Sequence, residues 1–227
     1  IKGDIIPVTL DDSRLVAEYE NGEVIEGEHL IDEPEDDRNI TRIYLKPAAK
    51  ANENAIRAIE KADYIILGPG DLYTTTLANI VVEGIKQSIQ KSKAKIICIG
   101  NLMSKKGQTR NLTQSGYLKI VERYIGRDVD YFLINNGKIP TKAYERYLKK
   151  GEHIIVDDLS VEETKAKIIR ADLVATAPVV REKGDKLERS LVRHDSKKLF
   201  RELNKIFYSE STLISKLFGT FISYYKD

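Results

Sequence analysis

"YIILGPGDLYTTTLAN", Tyr64 to Asn79, decides the fold. The run from Tyr64 to Leu67 is apolar, unbroken by charge and too short for a buried helix, so it reads as a strand covered on both faces. Gly68-Pro69-Gly70 then turns the chain, and the threonines that follow open a helical pattern. The loop has two readings. It is an ordinary strand-to-helix turn, or it is a cradle for an anion, because glycines let the main chain come within hydrogen-bonding distance of a ligand at a helix N-terminus. Thr74, Thr75 and Thr76 add hydroxyls near that helix start. Asp71 complicates the second reading: a carboxylate repels a phosphate unless a cation separates them or the acid faces a sugar hydroxyl.

Outward from this stretch the same alternation repeats. "ANENAIRAIEKA" before it places Ala55, Ile56, Ile59 and Ala62 at helical spacing, and "TTTLANIVVEGIKQSIQKS" after it reads as one helix. "KIICIG" and "YFLINN" are two further buried strands with the helix "TQSGYLKIVERYIG" between them. "IPTKAYERYLKKG" is a helix with Pro140 near its start and Gly151 at its stop. "HIIVDD" reads as a fourth strand, "IRADLVAT" as a fifth, and a final helix begins near Ser196. Helices alternating with short apolar runs imply βαβ crossovers and a parallel sheet with helices on both faces. Residues 1–46 differ in kind. "IIPVTL", "RLVAEYE", "EVIEG" and "ITRIYL" are strand-like, with Asn21-Gly22 as a hairpin turn, so a small antiparallel meander precedes the α/β part at 47–227 within one domain. The intervening "DEPEDDR" reads as a solvated acidic loop.

The composition of the 227 residues, 41% hydrophobic, suits a well-buried core. Thirty-seven basic against thirty-five acidic side chains leave +2, which gives nucleic acid no basic surface to track. The single cysteine, Cys98, excludes a disulfide scaffold and reads as a small buried hydrophobe in a reducing compartment. No stretch approaches the roughly 20 apolar residues of a membrane span, and the expected location is the cytoplasm. The opening "IKGDIIPVTL" reads as a sequence entered mid-domain. In the tail, Leu213, Ile214, Leu217, Phe218, Phe221 and Ile222 form one helical stripe, which packs on its own domain or else meets a membrane surface or a second subunit in a homo-oligomer.

Ligands of open parallel sheets sit beyond the carboxyl ends of the strands, and two more loops lie there. In "GNLMSKKGQT", Asn101 reads a base or ribose edge or merely caps, while Met103 offers a flexible apolar surface to a ring. In "INNGKIP", Asn135 and its neighbours form a turn or add polar groups to the same edge. "LVRHDSKKLF" sets Arg193, His194 and Asp195 before a helix that Ser196 would cap, either as a phosphate fork with a proton carrier or as a surface ion-pair cluster. Ser196 with Lys197 and Lys198 also forms a helix start that would welcome an added phosphate.

Taken together, "PVTLDDSRLVAEYENGEVIEGE", "ADYIILGPGDLYTTTLAN", "NLMSKKGQT" and "LVRHDSKKL", in that order, resemble the bacterial gluconeogenesis factor family (CofD-like), relatives of 2-phospho-L-lactate transferase. The resemblance spans about Pro7 to Leu203. It implies a Rossmann-like three-layer αβα fold and a cytoplasmic protein that binds UDP-sugars and affects gluconeogenic growth and cell shape. By position it implies that Gly68, Pro69, Gly70, Asp71, Tyr73 and Thr75 meet the ligand, with Asn79 closing the motif. It also implies contacts from Asn101 and Met103, and a phosphate contact from Arg193 with His194 and Asp195 beside it. The transferase relatives imply a second function, phosphotransfer from a nucleoside diphosphate-linked substrate with Mg²⁺ at Asp71. The chain departs from the family pattern in three places. It begins after the glycine-rich "GGGTG" strand-loop, it has Gly116-Tyr117 where an Asp-His pair is usual, and Ala78 stands in place of proline.

Overall fold

The computed structural model describes residues 3–34, 38–160, 162, 164–176 and 192–218, with side chains to 209. Two sheets organise it. The first is antiparallel, ordered β2-β1-β3, from β1 (Arg14–Tyr19), β2 (Val24–Glu26) and β3 (Ile40–Lys46). The second is parallel and runs in chain order: β4 (Tyr64–Leu67), β5 (Lys95–Ile99), β6 (Tyr131–Asn135) and β7 (Lys167–Ala171). The expected α/β architecture with a small N-terminal antiparallel sheet is therefore present, but the sheet is not the expected meander, because β3 returns to pair with β1 instead of β2.

The central strands β5 and β6 carry continuous buried apolar runs because both faces are covered. The edge strand β4 leaves Ile66 exposed, against the expectation of full cover, and the edge strand β7 carries Lys167 and Arg170. Ile96, Cys98, Phe132 and Ile134 face one core, shared with Ala55 of α2 (Glu53–Lys61), Ile89 of α4 (Ile85–Lys91) and Leu118 of α5 (Gln114–Ile125). Ile97, Ile99 and Leu133 face the other, against Leu199, Leu203 and Ile206 of α7 (Ser196–Phe218). The first core continues into the small sheet through Leu15, Ala17, Tyr19 and Ile43, so the two sheets share one apolar interior. Cys98 sits inside it with no exposure, and burial holds its thiol well above the usual range.

Several local expectations are corrected. "IIPVTL" is not a strand; only Thr9 bridges, to Ala51. The first hairpin closes with three residues, not two: Tyr19 N donates to Glu23 O, Gly22 N donates to Tyr19 O, and Gly22 takes φ 83°. A short helix not foreseen, α1 (Glu28–Asp32), runs up to the first residue of the acidic segment, of which Glu35, Asp36 and Asp37 lie outside the described residues. The helix after the glycine loop is broken in two. A π-helix spans Leu72–Leu77 and runs on through α3 (Ala78–Ile80), and Gly84 at φ 102° starts α4.

"HIIVDD" is a strap rather than a strand, with Ile154 and Val156 at 41% and 61% exposure despite their apolar character. His153 O accepts from Ser104 N, Val156 O accepts from Gln114 N, and Asp158 takes both Ser115 N and Ser115 Oγ. The strap thus fixes the loop after β5 and the start of α5. The fourth parallel strand is "KIIRA", which starts two residues before the expected "IRADLVAT" and ends within it at Ala171. For the tail stripe, the side chains of Leu213, Ile214, Leu217 and Phe218, and all of Phe221 and Ile222, lie outside the described residues.

Candidate functional site

The carboxyl ends of β4 and β5 place two glycine segments side by side. Gly68 has φ 82°, and a Cβ there would stand 3.1 Å from Ile99 O, so the first loop lies against the end of β5. At Gly70 a Cβ would come within 2.9 Å of Thr75 Cγ2, and at Gly100 within 2.5 Å of Gln114 Oε1 and 3.1 Å of Phe132 Cζ. Both loops are therefore glycine because a side chain would overlap their own surroundings.

Around these glycines, four buried polar atoms have no hydrogen-bond partner among the described residues: Thr76 Oγ1, Tyr117 Oη, Gln114 Oε1 and His194 Nε2. Thr76 and Tyr117 face each other closely enough for the threonine to draw the phenol pKa down, yet fall short of hydrogen-bond geometry. Burial dominates at Tyr117, which has no exposure, and raises its phenol far above the usual range. Its ring stacks on Phe132 at 6.2 Å. Gln114 uses its Nε2 on Asn101 O at 3.1 Å, which leaves Oε1 turned to Gly100. His194 reaches the same glycine, whose backbone hydrogen-bonds the ring; burial is the larger influence and lowers its pKa to about 4. The imidazole is neutral at pH 7 and serves as a hydrogen-bonding group, not a fixed cation.

The puzzle of Asp71 is resolved by Lys105. Its Nζ lies 2.8 Å from Asp71 Oδ2 and 2.5 Å from Asp32 Oδ1, so one ammonium bridges two carboxylates. Asp32 Oδ1 also accepts from Gln108 Nε2 at 2.8 Å and Thr74 Oγ1 at 3.0 Å, and Gln108 Oε1 takes Tyr73 N at 3.1 Å. That last bond occupies one of the amides that a helix's opening turn leaves without an intrahelical acceptor. At Asp32 burial pushes the carboxyl up, but hydrogen bonds and charge, chiefly from Lys105, hold it below the usual range. At Lys105 burial acts downward, and the two carboxylates more than offset it. The Asp32–Asp71 pair as arranged does not fit Mg²⁺: Lys105 stands between the oxygens, and no three His, Cys, Asp or Glu side chains converge among the described residues.

The remaining sequence candidates are distributed as follows. Pro69 and Thr75 are exposed at the loop, Tyr73 is buried, and Asn79 donates from Nδ2 to Thr75 O at 2.7 Å. Asn101 immediately follows Gly100 and is half-buried. Met103 is not a surface for a ring: it is 8% exposed and packs with Leu102, Val174 and Val192. Asn135 binds Gly137 and takes Leu173 N at 2.9 Å, so its amide ties β6 to the segment after β7. Residues 193–195 run antiparallel to that segment, where Ala175 N donates to Arg193 O and Asp195 N donates to Leu173 O. Arg193 is exposed. Asp195, not Ser196, caps α7, accepting from Lys197 N and Lys198 N at 2.9 Å each, and its carboxylate is spent there, not on His194. Ser196 is exposed at the first helical position.

Sequence reasoning missed Asp32, Gln108, Gln114 and Tyr117 as site residues. The signals were the place of Gln108 within a recognised loop, the nearness of Gln114 to the same loop and, for Tyr117, its standing where the family pattern has an Asp-His pair; Asp32 gave none. A cavity of about 360 Å³ lies elsewhere, between the small sheet and the π-helix, with Arg14, Glu28, Leu45, Thr74 and Ala78 in its lining. It includes neither glycine loop.

These features define a Rossmann-like αβα protein whose strand-end loops collect polar groups at one sheet edge. The family model described as 2-phospho-L-lactate transferase CofD matches residues 1–174, and the chain belongs to that family. A Thermotoga maritima protein carrying the gluconeogenesis-factor name is 36% identical over 206 residues, 91% of this chain and 63% of that protein. The Listeria innocua gluconeogenesis factor is 30% identical, over 85% of this chain and 59% of its own length. A solved Bacillus halodurans structure, described as a member of the UPF0052 family, superposes with a TM-score of 0.74 at 28% identity, covering 88% of this chain and 61% of that one. The chain thus spans about three-fifths of the length of these relatives. Among the described residues no helix is long and apolar enough to cross a membrane.

Proposed function

We propose that this chain forms the ligand-binding part of a gluconeogenesis factor, a cytoplasmic regulatory protein that holds a nucleotide-sugar at the carboxyl edge of its parallel sheet. The observation that carries this is the set of four partnerless buried atoms, Thr76 Oγ1, Tyr117 Oη, Gln114 Oε1 and His194 Nε2, around Gly70 and Gly100. A buried polar atom left unpaired costs about 1–3 kcal/mol, and native folds complete such atoms with a ligand or ordered water. A sugar or nucleoside has the mixed donors and acceptors to do so, while Gly68–Gly70 and exposed Arg193 suit the phosphates. The names of the relatives support a role in carbon metabolism.

Binding is the reading preferred over metal-assisted transfer because the cation at Asp71 is a lysine. Calorimetry of the full-length protein with UDP-N-acetylglucosamine, other UDP-sugars and GDP tests the proposal. Saturable UDP-sugar binding that Arg193→Ala weakens at least tenfold is the expected result. Metal-dependent GDP binding accompanied by phosphotransfer to an acceptor hydroxyl would replace binding with catalysis.

A further inference from the structure

We infer that Lys105 is the built-in cation of this site: its ammonium holds the place between Asp32 and Asp71 that a divalent ion would need, so ligands bind at the Gly68–Gly70 loop without divalent metal. This rests on the ligand-binding reading above but makes a separate claim about the carboxylates.

The geometry is specific. Lys105 Nζ bridges Asp32 Oδ1 and Asp71 Oδ2 at 2.5 and 2.8 Å, with all three side chains only about one-third exposed, at 29%, 30% and 38%. The lysine arrives from a loop that is itself fixed. Lys105 N donates to Thr109 Oγ1, Ser104 is tied to the strap at His153, and a Cβ at Gly107 would overlap Pro34 just beyond Asp32. Thr74 and Gln108 occupy the remaining approach to Asp32 Oδ1, so that oxygen has three donors already. A metal ion would have to displace the ammonium, since two cations cannot share the same pair of oxygens at such distances. An ammonium carries three donors, and two go to the carboxylates; the third is available to a ligand oxygen.

Two measurements on the full-length protein decide the matter, with Mn²⁺ as the first probe. Wild type should show no Mn²⁺ site that depends on Asp71. Lys105→Met should create one, because Thr74 and Gln108 still hold Asp32 in place, and adding Asp32→Asn should abolish it. Lys105→Arg, which keeps the charge, should exclude Mn²⁺ as wild type does, and circular dichroism should confirm that each variant folds. Equal Mn²⁺ affinity in wild type and Lys105→Met, at any level, overturns the inference. The second probe is a UDP-sugar. Wild type should bind it equally in EDTA and in Mg²⁺, whereas Lys105→Met should lose at least tenfold in EDTA and recover in Mg²⁺. Binding by wild type only with Mg²⁺ overturns the inference and leaves the nucleotide-sugar reading intact. No UDP-sugar affinity in either buffer refutes that reading, and the Mn²⁺ comparison still judges Lys105.

Discussion

His194 gives the fold a defined weakness on the acid side. Its folded pKa is about 4 against an ordinary 6.5, with burial as the leading cause, so the unfolded chain takes up the proton first as pH falls. Stability from this group is therefore complete above about pH 6.5, declines between there and about pH 4, and is flat below. With the two pKa values quoted, the loss between pH 7.5 and 5.0 comes to about 2 kcal/mol. For a chain of 227 residues that corresponds to a melting temperature lower by about 4–8 °C. Melts of wild type and His194→Gln across this range provide the assay. The variant keeps a polar side chain but has nothing to protonate, so the acid shift should shrink by about that amount, with the other groups cancelling in the difference. Parallel pH profiles for the two proteins would refute the burial argument.

Other outcomes follow from single contacts. Asp195→Ala should cost about 1 kcal/mol in urea unfolding and Ser196→Ala less than about 0.5, because the carboxylate of Asp195 takes Lys197 N and Lys198 N at the start of α7. Tyr117→Phe removes a buried hydroxyl without a partner; the free protein should gain about 1 kcal/mol while UDP-sugar affinity falls, and a loss of stability would show the hydroxyl to be satisfied. Gly70→Ala should destabilise by about 1 kcal/mol or less in the same assay, since its Cβ would meet Thr75 Cγ2 at 2.9 Å and the exposed threonine must turn to another rotamer.

The parts of the fold legible in the sequence are those set by local periodicity. β5 and β6 stood out because strands buried on both faces carry no polar interruption, and the edge strand β4 shows the same apolar run although Ile66 is exposed. The same rule misassigned "HIIVDD", which is equally apolar but lies on the outside, where its main chain serves the loop after β5 and its aspartate serves α5. Apolar content alone does not say whether a second face is covered. The break at Gly84 was hidden for a related reason: the apolar spacing of 74–92 persists across it, and only the positive φ marks the restart. The loop glycines were legible because close approach needs glycine wherever it occurs.

The partners of those loops are a different matter, because they are assembled from distant segments. Asp32 lies 42 residues before Thr74, 73 before Lys105 and 76 before Gln108, and stands at the end of a short helix where an acidic run that reads as a solvated loop begins. The sequence did pose the question correctly: a carboxylate after Gly70 needs a neighbouring cation or a hydroxyl to face. The answer depends on where the small sheet docks, since α1 brings the second carboxylate that fixes Lys105 in place. The small sheet therefore does more than flank the parallel one. It sets the charge beside the Gly68–Gly70 loop, which is why, on the proposed reading, perturbing Asp32 should alter binding at an edge to which β1, β2 and β3 contribute no strand.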